Sequence, residues 1–138
     1  GKDFATVEKY RDVGTLFFPA DSAVLLECLS NLAANELFGG PVELTEENAA
    51  ALAEKTADKI TADLFRLREN CGHLVLVTND IFADRDGETT LVQAYKQVLG
   101  TVNCRMAAAA DTVIEVTAGI ADVWKGAERR SADYECVE

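Results

Sequence analysis

The chain has 138 residues, 49% of them hydrophobic, which is one domain's worth of sequence with enough apolar material for a core. Twenty-four acids against 13 bases leave a net charge of −11. No Lys/Arg cluster is present, so a nucleic-acid polymer is excluded as a partner, although a single nucleotide needs only a few donors. No stretch approaches the ~18 consecutive apolar residues of a membrane span.

The N-terminus, Gly1-Lys2-Asp3-Phe4, has neither an initiator methionine nor an apolar leader. The expectation is a cytoplasmic chain cut from something longer, by processing, proteolysis or design. Cys28, Cys71, Cys104 and Cys136 form no C-x-x-C pair, and His73 is the only histidine. Reduced, mostly buried thiols are expected, and the spacing does not suit zinc.

In chain order, the turn signal Pro19-Ala20-Asp21-Ser22 precedes Ala23-Val24-Leu25-Leu26-Glu27. That short, unalternated apolar run predicts a strand covered on both faces. A helix is expected from about Leu29 to Phe38, with Leu29, Leu32, Ala33, Glu36 and Leu37 near one stripe, stopped by Gly39-Gly40-Pro41. Thr45 is the expected N-cap of a second helix, with Glu46 and Glu47 in its first turn. Ala53, Ala57, Ile60, Leu64 and Leu67 recur at helical spacing and carry that helix to about Asn70.

A second strand is predicted over His73 to Thr78, with Asn79-Asp80 at its carboxyl end. The polar loop Ala83 to Gly87 then leads to a long helix from about Glu88 to Ala110. Its apolar stripe reads Leu91, Tyr95, Val98, Val102, Met106 and Ala109. Thr112-Val113-Ile114-Glu115-Val116 is a third strand, and the tail from Gly119 gives no clear signal.

Strands alternating with long helices predict an α/β domain with a parallel sheet. Ligands of such sheets sit beyond the carboxyl ends of the strands, which draws attention to Glu27, Thr78, Asn79 and Asp80. Glu27 could hold Mg²⁺ through water, accept hydrogen bonds from a base edge, or only cap the following helix. Asn79 and Asp80 also suit turns for local reasons. Asn103 and Arg105 lie two apart on the last helix and point to different sides of it. One of them could meet a ligand, with Arg105 suited to a phosphate, or Arg105 could form an ordinary ion pair. Lys9, Tyr10 and Arg11 could serve a phosphate but more often such residues are solvated, and His73 reads as structural. No G-x-x-x-x-G-K-[ST] or G-x-G-x-x-G sequence occurs.

Three runs carry a resemblance: AVLLECLSNLAANELF (Ala23 to Phe38), LVLVTND (Leu74 to Asp80) and NCRMAAAADTVIEVTAGI (Asn103 to Ile120). In order and spacing they resemble the adenosylcobinamide kinase/adenosylcobinamide-phosphate guanylyltransferase family. Phe4-Ala5-Thr6-Val7-Glu8 resembles the family segment before its buried strand, so the likeness covers nearly the whole chain. It implies a three-layer P-loop NTPase-like fold, a parallel sheet with flanking helices, and a tendency to form homo-oligomers. It also implies phosphorylation of adenosylcobinamide, then transfer of GMP from GTP through a GMP–histidine intermediate. GTP or ATP with Mg²⁺ would be required.

The resemblance maps Glu27 onto the acid that approaches the guanine. Thr78, Asn79 and Asp80 map onto a VTNE segment, with Asp80 in place of Glu. Asn103 and Arg105 map onto an N-x-R-L-A stretch, with Met106 in place of Leu, and Phe82 stands where many members have glycine. The family's first strand, its P-loop and its guanylylated histidine all correspond to sequence before Gly1, and His73 is not that histidine. The 138 residues are therefore expected to be the C-terminal part of a nucleotide-binding domain and inactive alone, because the phosphate cradle and nucleophile are not among them. A non-catalytic nucleotide-binding or assembly module is the alternative.

Overall fold

The computed structural model describes residues 4–79 and 87–126. It divides into two compact units, residues 1–103 and 104–138.

In the first unit, a short 3₁₀ turn, Val13–Thr15, precedes strand β1, Ala23–Glu27. Helices α1, Leu29–Phe38, and α2, Ala49–Glu69, then lead to strand β2, His73–Val77. β1 and β2 pair in parallel, from Ala23 opposite His73 to Glu27 opposite Val77. A parallel pair needs a crossover between its strands, and here two helices supply it.

The stripes anticipated for α1 and α2 are the buried ones. Leu29, Leu32, Ala33, Glu36 and Leu37 of α1 are buried, as are Ala53, Ala57, Ile60, Leu64 and Leu67 of α2. The start of α2 falls later than the sequence suggests. The Thr45 amide donates to Asn48 Oδ1, and the Asn48 amide donates to Thr45 Oγ1. That reciprocal pair closes a turn ahead of the helix, which begins at Ala49. Asn70 ends α2, and its side-chain amide donates to Leu16 O at 3.0 Å and to Gly14 O at 3.4 Å. One residue thus closes a helix and straps the N-terminal segment to it.

The two-stranded sheet is covered on one face, not both. Val24, Leu26, Leu74 and Leu76 turn inward, whereas Leu25 and Val75 are more than half exposed. The alternation went unread in the sequence because every residue of the run from Ala23 to Leu26 is apolar, whichever way it points.

Helix α3, Thr90–Ala109, crosses from the first unit into the second. Thr89 Oγ1 accepts from the Val92 amide and caps its start. Its buried residues are Ala94, Val98, Leu99 and Val102. The inward face is therefore rotated from the expected stripe, with Ala94 and Leu99 replacing Leu91 and Met106.

In the second unit, strands β3, Val113–Thr117, and β4, Ile120–Lys125, form an antiparallel hairpin. The expected third parallel strand pairs instead with the tail that carried no signal. Ala118 and Gly119 have φ of 51° and 77° between the paired residues Thr117 and Ile120. A two-residue turn with two positive φ values matches the twist of a hairpin, and the Ala in it concealed the turn from sequence reading. Lys125 Nζ donates to the Ala107 and Ala108 carbonyls at 3.2 and 2.8 Å, so its charge meets the negative end of α3. Trp124, also on β4, is 68% exposed.

Candidate functional site

The carboxyl ends of β1 and β2 bring four of the sequence-chosen residues to one end of the sheet. Glu27 closes β1 opposite Val77, and Thr78 and Asn79 follow directly on β2. All three side-chain-bearing residues are exposed. Asn103 of α3 joins them, because Thr78 Oγ1 donates to Asn103 Oδ1 at 2.8 Å. Asp80 lies outside the described residues, and Arg105 belongs to the second unit.

Three residues not singled out in the sequence as site residues support this end. Ser30, buried in the first turn of α1, lies with its Oγ 2.9 Å from Cys28 Sγ. Asn79 Nδ2 approaches the same oxygen at 3.5 Å. Tyr95 donates its hydroxyl to the Ser30 carbonyl at 3.1 Å, and its ring lies 6.3 Å from that of Phe38. Burial, with a contribution from the Cys28 thiol, raises the Tyr95 phenol above its ordinary value and keeps it a donor. The available signal was a tyrosine on an apolar stripe, whose hydroxyl has to find a partner.

A second cluster holds the N-terminal segment. Lys59 Nζ lies 2.7 Å from Asp12 Oδ1 and 2.9 Å from Asp63 Oδ2, and it also bonds Glu36 Oε2. Arg11 Nε donates to Glu36 Oε1 at 3.0 Å. Burial opposes the charge on Lys59, but its bonds to Asp12, Glu36 and Asp63 outweigh this and raise its pKa. The hydrogen bond from Lys59, and its charge, lower the pKa of Asp12. Asp12, Glu36 and Asp63 are close enough together to hold a cation, and the Lys59 ammonium takes that place. Arg11, considered for a phosphate site, is thus committed to Glu36. Lys9 and Tyr10 are exposed.

A hollow of about 460 Å³ is lined by Tyr10, Arg11, Ala34, Asn35, Phe38 and Gly39, and a smaller one of about 130 Å³ adjoins Arg11, Glu36 and Lys59. Neither includes the strand-end residues. Of the three described cysteines, all free, Cys71 alone is buried, against the expectation of mostly buried thiols. No described helix is long and apolar enough to cross a membrane.

Comparison with known proteins places the motifs in a family. The model of the CobU family, cobinamide kinase / cobinamide phosphate guanyltransferase, matches residues 1–123. The chain belongs to the CobU family. It is similar to the bifunctional adenosylcobalamin biosynthesis protein CobU of Salmonella typhimurium (strain LT2), 33% identical over 120 residues that cover 83% of this chain and 66% of the relative. The protein of the same name from Escherichia coli (strain K12) is 29% identical over 120 residues, with the same coverage. The chain thus spans 66% of the length of each of these CobU proteins. The CobU match takes in both strand ends, α1 and α3, so the resemblance and the geometry concern the same residues.

Proposed function

We propose that the chain is the guanine-nucleotide-binding portion of a cobinamide kinase/cobinamide-phosphate guanylyltransferase, with the nucleotide at the carboxyl ends of β1 and β2. The observation that carries this reading is the meeting of Glu27, Thr78, Asn79 and Asn103 at one end of a parallel sheet in a CobU-family chain. Loops beyond strand carboxyl ends are where parallel sheets hold ligands. Asp80 and Arg105 complete the proposed set through the family motif. In this reading the whole enzyme phosphorylates adenosylcobinamide and then transfers GMP to the phosphate.

Glu27 is acceptor-only when ionised, which suits the N1–H and N2–H₂ of guanine. One exposed carboxylate also suits a hydrated Mg²⁺ that takes most of its ligands from the nucleotide phosphates. Bound there, the ion would neutralise charge developing on those phosphates. In this reading the reaction runs in the cytoplasm, a compartment that keeps thiols reduced.

Taken by themselves, these 138 residues, which contain no G-x-x-x-x-G-K-[ST] sequence, are proposed to bind nucleotide without turning it over. Phosphoryl transfer needs backbone N–H groups and a lysine around the developing charge. Calorimetric titration of the 138-residue chain with GMP and GTP, with and without Mg²⁺, tests this binding. GMP binding that is lost in Glu27→Ala is the expected result. A Glu27→Ala protein that keeps the wild-type affinity would remove the guanine role.

We also propose that the chain self-associates through its uncovered sheet face, on the strength of the exposed Leu25 and Val75 side chains.

A further inference from the structure

We propose that Thr78 is a positioning residue: it holds the Asn103 carboxamide so that the amide N–H₂ faces the O6 of a bound guanine. The inference rests on the reading of the strand ends as a guanine-nucleotide site. A carboxamide offers an acceptor oxygen on one branch and two N–H donors on the other. Thr78 Oγ1 donates to Asn103 Oδ1 at 2.8 Å across 25 residues of sequence. With its oxygen engaged by Thr78, Asn103 turns its donors the other way. Among the described residues no hydrogen-bond partner is found for Asn103 Nδ2 or for the Glu27 carboxylate.

The two groups stand at the same end of the sheet. Glu27 is the register partner of Val77, the residue before Thr78, and parallel strands lie about 5 Å apart. One strand end therefore presents acceptors, and the other, through Thr78, presents donors. The guanine edge is complementary to this pair, with donors at N1 and N2 and an acceptor at O6. Adenine puts an N–H₂ where O6 would be, which leaves Asn103 and the base with opposed donors and no bond. A phosphate oxygen is the other acceptor that could meet Asn103, but the Glu27 charge one strand away disfavours it.

The test is a set of calorimetric titrations of the 138-residue chain with GMP, IMP and AMP. Thr78→Val removes the hydroxyl and keeps the shape, whereas Thr78→Ser keeps the hydroxyl. The valine variant is expected to bind GMP and IMP about 3- to 10-fold more weakly, the range set by one neutral hydrogen bond. Both nucleotides carry O6, so they should fall together, while AMP is unchanged. Thr78→Ser should restore GMP affinity. In an Asn103→Ala background, Thr78→Val should have no further effect. Undiminished GMP affinity in Thr78→Val, or a loss that persists in the Asn103→Ala background, overturns the positioning role while leaving the nucleotide site standing. Absence of GMP binding by the wild-type chain overturns the site and this role with it. A equal drop for AMP would reassign Asn103 to the phosphate or ribose and overturn the O6 assignment.

Discussion

Leu25 of β1 and Val75 of β2 are register partners on one face of the parallel pair, and they are 58% and 55% exposed. Two branched apolar side chains held side by side in water are the start of an adhesive surface. Leu25→Thr combined with Val75→Thr is expected to lower the apparent mass in light scattering at high protein concentration. Because both side chains are already exposed, the fold should lose no more than about 1 kcal/mol. A wild-type chain that stays monomeric at every concentration would count against the proposed self-association.

The Lys59 hub gives a stability prediction. Glu36 is buried, with a side chain only 1% exposed, and depends on Lys59 and Arg11 for its charge balance. Removing one partner of a buried ion pair strands the other, which costs about 3 kcal/mol or more when no other partner remains. Arg11 stays in place and Lys59 is 38% exposed, so the expected loss for Lys59→Met is smaller, about 1–2 kcal/mol in denaturant unfolding. Removing the acid as well, in Glu36→Gln with Lys59→Met, should recover part of that loss. A single variant as stable as the wild type would show that the hub does not hold the N-terminal segment.

The same hub sets a pH dependence. The Asp12 pKa is lowered in the folded chain from an ordinary value of 3.8. A depressed carboxylate stabilises the fold above the unfolded value, and this is lost as pH falls through the lower folded value. The Lys59 pKa is raised from 10.5, so its contribution is complete below that value and is lost as pH rises above it. Thermal midpoints of Asp12→Asn should therefore decline less steeply than wild type below about pH 4. Parallel acid limbs for the two proteins would contradict the ion pair.

Gly72 links α2 to β2 in a space with no room for a side chain. A Cβ there would meet Ala20 O at 2.4 Å and Ser22 O at 2.8 Å. Ser22 O already accepts from the Gly72 and His73 amides, so it is held in place. Gly72→Ala is expected to cost about 1–3 kcal/mol in denaturant unfolding, as overpacking does elsewhere. An alanine variant with the wild-type midpoint would show that this junction yields freely.

The helices were legible because their spacing carries the information. The buried stripe of α2, from Ala53 to Leu67, follows directly from four- and three-residue steps. β1 and β2 were legible as strands, but not as one-sided ones, since an unbroken apolar run hides its alternation. The strand-end residues Glu27, Thr78 and Asn79 stood out because polarity appears abruptly after such a run. Ser30 and Tyr95 did not, because their roles depend on a contact between α1 and α3 across 65 residues of sequence. Nor did the pairing of Asp12, Glu36 and Asp63 around Lys59, which joins three distant segments. The β3–β4 hairpin was missed where Ala118 occupies a turn position that Asn or Gly would have advertised.

The chain's sole tryptophan, Trp124, stands on β4 of the second unit, whereas most of the helical residues belong to the first. Indole emission therefore follows the hairpin, and far-ultraviolet ellipticity follows chiefly the helices. Coincident melting curves from the two optical signals would mean that both units come apart as one cooperative body. Separate curves would give each unit its own thermal signature, without any label or added chromophore.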